Sequence, residues 1–267
     1  RGVKSHGVAR LKRYVDGIKK GLIFPDKTPK ILRENKVTAA LSAEDGLGQV
    51  AGHFAMNLAI KKAKDYGVGI VTVCNSNHYG IAGYYAMMAL KEKQIGLSMT
   101  NTAPLAVPTF GRDMVLGTNP IAVAAPAKKH KPWVLDMATT VIPRGKLEVY
   151  DREQKKMPLG WAVDEAGTGT VDPTLVLKNM AKTLGGGVLP LGGEGELFSG
   201  HKGYGLIAMV DVLSGILSGG TFGKYVYELK DGKEINPNVC HFFAAIDIES
   251  FVDFSIFTEE MDQMIEE

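Results

Sequence analysis

The sequence has little cysteine, no long apolar run and no excess of charge of one sign. Cys74 and Cys240 are its two cysteines, and no CxxC pair occurs, which argues against a disulfide framework or a zinc ribbon. Such sparing use of cysteine predicts the reducing cytoplasm. The sequence holds no stretch of 18 apolar residues and no signal peptide, so we expect neither a membrane span nor a membrane partner.

Charge and motif content exclude further classes. Lys and Arg total 31 against 29 Asp and Glu, a net charge of +2, and the basic stretch 127–132 has no aromatic residues interleaved. We therefore expect no nucleic-acid partner. No HExxH, P-loop or GxSxG motif occurs, so a metal site, ATP hydrolysis and acyl transfer are not expected.

The composition suits a globular protein. Apolar residues make up 45% of 267 residues, enough for one large domain or two modest ones. Helical and strand patterns alternate irregularly, which predicts an α/β or mixed α+β fold. The helical stretches are 5–21, 46–67 and 201–220, and the strand stretches are 37–45, 68–74, 95–101, 115–127, 132–140 and 238–251. Because the chain opens on Arg1 without Met and closes in a helical pattern, we expect flanking segments at both ends.

One dinucleotide-binding motif is present and is rejected. The stretch GLGQVA (46–51) matches G-x-G-x-x-[GA] between a strand and a helix. The preceding stretch contains Ser42, Glu44 and Asp45, which is too polar for the buried first strand of a parallel sheet. The next strand ends in VCNSN, without the carboxylate that binds the ribose. We predict a tight turn that leads into a helix.

His78 is the first candidate for chemistry. It lies in the polar turn NSNHYG, where an apolar strand meets a helix. An imidazole can give and take a proton near neutral pH; the structural alternative is a turn histidine that bonds a backbone carbonyl.

His6, Arg10 and Tyr14 follow i, i+4, i+8 and share a helix face. They could bind a small carboxylate, or form an exposed polar face.

Two further positions suit anionic or ring ligands. Lys202 stands at a helix start beside a Gly-rich loop, a setting for phosphate or carboxylate, although a solvated lysine would look the same. Asp136 ends an apolar strand and could present groups to a ring or a ribose, or serve as an N-cap or turn residue. The short stretches 101–104 and 118–120 are typical of turns.

Several motifs together resemble the malate/L-lactate dehydrogenase family of the non-Rossmann type, which includes ureidoglycolate and sulfolactate dehydrogenases and imine reductases. The motifs occur in order over nearly the whole chain: RGVKSHGVARLKRY, GLGQVAG, SNHYGIAGYYA, GTNPIAVAAPA, VLDMATTVIPRGK, PLGWAVDEAGTGTVDP and GHKGYGLIAMVDVLSGILSGG. The resemblance implies hydride transfer between NAD or NADP and a small 2-oxo or 2-hydroxy acid, of malate or L-lactate type. It also implies a homodimer and a largely antiparallel, non-Rossmann cofactor-binding sheet.

The resemblance also assigns site residues. It implies catalytic roles for His78, His6 and Ser5, and substrate binding by Arg10 and Tyr14. The implied cofactor contacts are Thr102, Asp136, Met137, Ala138 and Lys202.

The implied domains are residues 1–78 with 231–267 for substrate and dimerisation, and 79–230 for NAD(P). Two alternatives stay open: a sister activity (sulfolactate or ureidoglycolate dehydrogenase, or cyclic imine reductase), and a catalytically inactive NAD(P)-binding paralogue.

Overall fold

A computed structural model describes residues 6–227, 229–230 and 233–267. Its centre is a seven-stranded sheet in the order β1-β2-β3-β11-β4-β5-β6. Two short two-stranded sheets, β7 with β8 and β9 with β10, accompany it. The strands are β1 Lys30–Glu34, β2 Thr38–Ser42, β3 Val68–Ser76, β4 Gln94–Thr100, β5 Ile121–Ala125, β6 Trp133–Met137, β7 Ala162–Val163, β8 Gly187–Val188, β9 Leu229–Lys230, β10 Lys233–Glu234 and β11 Val239–Asp247.

The large sheet is almost entirely antiparallel. The pairing of β2 with β3 is parallel, whereas β1–β2, β3–β11, β11–β4, β4–β5 and β5–β6 are antiparallel. Strand β11 comes from the end of the chain and lies between β3 and β4, where His241 faces Val73 on one side and Thr100 on the other. This arrangement confirms the predicted mixed α/β class on a largely antiparallel sheet.

Helices cover both faces of this sheet. The helices are α1 Leu11–Lys19, α2 Gly48–Tyr66, α3 Ala82–Met88, α4 Arg144–Arg152, α5 Pro173–Lys182, α6 Gly200–Val210 and α7 Phe254–Glu266. Ala55 and Met56 of α2 pack with Phe243 of β11 in the main core cluster. On the other face, Val210 of α6 packs with Phe242 in a second cluster. Burial of these apolar side chains is the main contribution to the stability of the layers.

A separate core lies beside the sheet. It is built from α4, α5 and the β7–β8 pair, and Ile207 of α6 joins it. Its members are all buried: Ala106, Ile142, Leu147, Met157, Ala162, Val176, Met180, Val188 and Ile207. Helix α6 therefore touches both the large sheet and this second core.

The predicted domain division, 1–78 with 231–267 against 79–230, stays a prediction. Strands from both parts hydrogen bond within the one seven-stranded sheet, since β11 pairs with β3 and with β4.

Three local features differ from the sequence prediction. Strand β1 was not predicted, and all five of its residues are exposed in the structure. Helix α4 was not predicted, since Leu147 is its one buried residue. The predicted helix 201–220 changes at Asp211–Ile216 into a π-helix, a local widening that is common near functional sites.

Candidate active site

His78 lies in the turn that follows β3, and the turn is held against the segment that leads into α2. The Asn77 side-chain amide donates to the backbone oxygens of Asp45 and Gly46, at 3.0 Å each. Asn77 is buried, so both bonds form away from bulk water. These bonds fix the backbone on which the imidazole is mounted.

The glycine-rich stretch before α2 serves this close packing. A Cβ on Gly48 would lie 2.1 Å from the backbone oxygen of Asn77 and 2.8 Å from that of His78. The first turn of α2 therefore packs directly against the turn of His78, at a distance that only glycine permits.

The structure brings three predicted residues together. The Tyr14 hydroxyl of α1 lies 2.7 Å from Nδ1 of His78. The ring of His6 stacks on that of His78, with centroids 5.4 Å apart and planes 9° apart. Ser5 lies outside the described residues. His6 and Tyr14 do not form only an exposed polar face, because the side chains of both contact His78.

Burial and positive neighbours keep His78 uncharged. Burial, followed by the charges of Arg13, His6 and Arg10, lowers the pKa of His78 to about 3. Burial, followed by the charge of Arg10, also lowers the pKa of His6, while the carboxylate of Asp136 raises it. The site therefore combines a neutral imidazole with nearby guanidinium groups, a setting that favours an anionic ligand.

A second histidine, His241 of β11, lies behind the first. His241 is fully buried, with Nδ1 2.7 Å from the Thr100 hydroxyl and Nε2 2.8 Å from the Ser76 hydroxyl. Its ring stacks on Tyr79, with centroids 4.5 Å apart. Burial lowers its pKa to about 3. His241 thus bridges β4 and the end of β3, directly behind the turn of His78.

A groove opens from this site along α2 and α3. Its volume is 1110 Å³ and its walls are mainly apolar. Gln49 lines the groove, and its side chain acts on the Tyr14 hydroxyl. Burial raises the pKa of Tyr14, so its hydroxyl stays protonated at neutral pH. Spacing alone did not predict Gln49, because the pattern around it is that of an ordinary helix start.

The residues assigned to the cofactor lie on three segments. Thr102 follows β4, and its hydroxyl accepts from the backbone N–H of Thr118 at 2.8 Å. Asp136 and Met137 end β6, where Asp136 is half-buried and its charge acts on His6 and Tyr79. Ala138 follows directly and is also half-buried.

Lys202 completes the set and is exposed in the first turn of α6. Hydroxyl, carboxylate and ammonium groups suit the ribose hydroxyls and the pyrophosphate of a dinucleotide. A Cβ on Gly203 would lie 2.1 Å from the backbone oxygen of Leu191. That glycine lets α6 approach the segment that bonds to Thr139, just after Ala138. The donor set therefore fits a nicotinamide dinucleotide.

Within the described ranges, no group of three or more His, Cys, Asp or Glu side chains could hold a metal ion. In the same part of the chain, no helix is both long and apolar enough to cross a membrane.

A neutral imidazole at a strand end, next to guanidinium groups and dinucleotide-compatible donors, is an arrangement compatible with an oxidoreductase site in an α/β fold. A family model described as malate/L-lactate dehydrogenase matches residues 1–267. The malate dehydrogenase of Pyrococcus horikoshii is 57% identical over 267 residues, covering 100% of this chain and 71% of that protein.

Two more distant relatives agree. The L-sulfolactate dehydrogenase of Methanocaldococcus jannaschii is 41% identical, covering 100% of this chain and 73% of that protein. The crystal structure of malate dehydrogenase from Entamoeba histolytica superposes with a TM-score of 0.93 at 40% identity, covering 99% of this chain and 73% of that chain. The chain belongs to the malate/L-lactate dehydrogenase family, and it is an oxidoreductase with the nicotinamide chemistry of that family.

Proposed function

We propose that the chain interconverts a small 2-oxo acid and its 2-hydroxy acid, of malate or L-lactate type, with His78 exchanging the proton. The observation that carries the proposal is the partly buried, uncharged His78 whose Nδ1 lies 2.7 Å from the Tyr14 hydroxyl. A positioned second group that fixes one ring nitrogen leaves the other for the substrate. When bound, the nicotinamide supplies or accepts the hydride.

The proton step follows from the two nitrogens of the ring. In the tautomer that we infer for catalysis, Nδ1–H donates to the Tyr14 oxygen, and Nε2 exchanges a proton with the substrate oxygen. In oxidation, neutral His78 takes the hydroxyl proton. In reduction, protonated His78 gives its Nε2 proton to the carbonyl oxygen. Acid–base assistance of this kind contributes about 10²–10⁴ in rate.

The charge around His78 explains how it becomes protonated for reduction. Arg13 and Arg10 help to hold its pKa down in the free protein. The carboxylate of a bound 2-oxo acid offsets those positive charges and so raises the pKa of His78. We infer that Arg10 holds the carboxylate through its forked donors, and that His6, stacked on His78, limits where the acid can lie. A catalytic role for Ser5 is proposed from the family resemblance alone.

The chemistry of each side chain suggests which part of the cofactor it would bind. Thr102, Asp136, Met137 and Ala138 would hold the nicotinamide and ribose end. Lys202 would hold the pyrophosphate, as an exposed ammonium in the first turn of a helix. The cofactor is NAD or NADP, and the two are distinguished by titration of the protein with NADH and NADPH in parallel.

The size and the exposed apolar rim of the groove support a homodimer. The groove's volume of 1110 Å³ exceeds what a small acid fills. Its rim exposes Val50, Phe54 and Tyr84, at 44%, 41% and 52%, and such a patch suits a subunit contact. Light scattering of the wild type and of Phe54→Glu tests this, since a monomeric wild type would contradict it.

A cytoplasmic location is proposed from the buried free thiols of Cys74 and Cys240.

The test of function is oxidation of NADH or NADPH, followed by absorbance, with oxaloacetate, pyruvate, sulfopyruvate and a cyclic imino acid. Turnover with oxaloacetate or pyruvate supports the proposal. Turnover with sulfopyruvate or the imino acid alone identifies a sister activity. Binding of the cofactor without turnover of any substrate identifies an inactive paralogue, which the assembled His6, Tyr14 and His78 group argues against.

A further inference from the structure

The short stretch Thr118–Asn119 hydrogen bonds to all three segments that carry the proposed cofactor contacts. Asn119 is fully buried. The sequence alone predicts only a turn here. In the structure, its hydrogen bonds join the three segments to one another.

The first segment is the one that holds Thr102. The Asn119 Oδ1 accepts from the Thr102 backbone N–H at 3.1 Å, and the Thr102 hydroxyl accepts from the Thr118 N–H at 2.8 Å. A Cβ on Gly117 would lie 2.3 Å from Asn119 Oδ1 and 2.5 Å from the Thr102 hydroxyl oxygen. The two stretches are therefore locked at a distance that only glycine permits.

The second segment is the end of β6. Thr139 directly follows Met137 and Ala138, and its hydroxyl donates to the backbone oxygen of Asn119 at 2.9 Å. Its backbone N–H donates to the Thr118 oxygen at 3.0 Å. The same two residues that hold Thr102 thus hold the strand end that carries Asp136.

The third segment is α6. The Asn119 Nδ2 donates to the backbone oxygen of Ile207 at 3.0 Å. Ile207 lies in the same helix as Lys202 and is itself fully buried. One amide therefore accepts from the Thr102 segment with its oxygen and donates to the Lys202 helix with its nitrogen.

We propose that Asn119 is a positioning residue of the cofactor site, which sets α6 and its Lys202 relative to Thr102 and Asp136. This inference rests on the proposed function, because it takes the three segments as the cofactor site. Asn119 acts through its neighbours and does not touch the cofactor. Its backbone φ of +27° is positive, which Asn tolerates better than most residues do.

The test variant is Asn119→Asp. A carboxylate still accepts from Thr102, but it cannot donate to Ile207 and instead places negative charge beside that carbonyl. Gln94→Glu is the matched control. Gln94 is fully buried and its amide nitrogen donates to a helix carbonyl, that of Ile60 in α2, at 3.2 Å.

The measurement is the Kd for NADH and for NADPH by fluorescence titration, with the unfolding temperature of each variant recorded beside it. We expect Asn119→Asp to raise the Kd of the preferred cofactor about tenfold or more. Gln94→Glu should lower the unfolding temperature comparably and change that Kd less than twofold. Thr139→Val, which loses the hydroxyl bond to the Asn119 oxygen, should weaken cofactor binding, and Thr139→Ser should restore it.

Two results would overturn the inference while leaving the proposed function intact. One is a wild type and an Asn119→Asp variant that bind the cofactor equally well. The other is a Gln94→Glu control that weakens binding as much as Asn119→Asp does. If Asn119→Asp does not fold, equal binding by Thr139→Val and wild type overturns it instead. A wild type that binds neither NADH nor NADPH refutes the proposed function and this inference with it.

Discussion

The partly buried His78 should make the protein lose stability as the pH falls, and His78→Gln should remove the part of that loss that comes from His78. The pKa of His78 is about 3 in the folded protein and near the ordinary value of about 6.5 in the unfolded chain. Between these values the unfolded chain binds more protons than the folded protein. The stabilisation is therefore fully present above pH 6.5 and is lost as the pH falls toward 3.

The size of the effect follows from the two pKa values. Each pH unit below 6.5 costs about 1.4 kcal/mol for one such group. Between pH 7 and pH 5 the loss for His78 is about 2 kcal/mol. Denaturant unfolding at both pH values gives the free energy of unfolding directly.

The expected result is a wild type whose free energy of unfolding falls by about 2 kcal/mol more than that of His78→Gln over this interval. His53→Gln is the control, because His53 is exposed on α2. The free energy of unfolding of this variant should fall over the interval by nearly as much as that of the wild type. An equal fall in wild type and in His78→Gln would show that burial does not hold His78 uncharged, which refutes the electrostatic reasoning.

Three further predictions concern the site and the core. Gly48→Ala should destabilise the fold by about 2 kcal/mol or more and lower kcat, because its Cβ would lie 2.1 Å from the Asn77 oxygen; denaturant unfolding and turnover check this. Arg10→Lys should raise KM for the 2-oxo acid about tenfold or more with a smaller change in kcat, because an ammonium lacks the forked donors, as steady-state kinetics would measure. Phe243→Ala should cost about 3–5 kcal/mol of unfolding free energy, because Phe243 is fully buried in the main core cluster.

Two of these predictions have a matched control. Gly205 in α6 has nothing within 4 Å of its would-be Cβ, so Gly205→Ala should leave stability near wild type. Phe110 is 81% exposed, so Phe110→Ala should cost far less than Phe243→Ala. An unchanged KM in Arg10→Lys would remove Arg10 from the substrate site. A Gly48→Ala protein with wild-type stability would show that the α2 entry can move away from the His78 turn.

The sequence predicted the elements whose side-chain pattern is strongly apolar. The strand at 68–74 extends to Ser76 in β3, and the helix 46–67 forms as α2, Gly48–Tyr66. Strand β1 and helix α4 were not predicted, because few of their side chains are buried. The insertion of β11 between β3 and β4 depends on pairings between distant parts of the chain, which a periodic pattern does not encode.

The site shows the same division. Family motifs led to His78, and the structure adds that Tyr14 bonds its Nδ1 and His6 stacks on it. The buried network of His241 with Thr100 was not predicted as part of the site, because a histidine in an apolar strand gives no sign of its partners. Asn119 was predicted only as a turn residue, since its bonds join segments that are far apart in the chain.

The most direct test of the central claim compares turnover and cofactor binding in His78→Gln. The substrate is the 2-oxo acid that the wild type reduces, and the cofactor is whichever of NADH or NADPH it oxidises. The account predicts that kcat falls by about 10²–10⁴ while the Kd of the cofactor changes less than twofold. A His78→Gln variant with near-wild-type kcat would contradict the claim that His78 exchanges the proton.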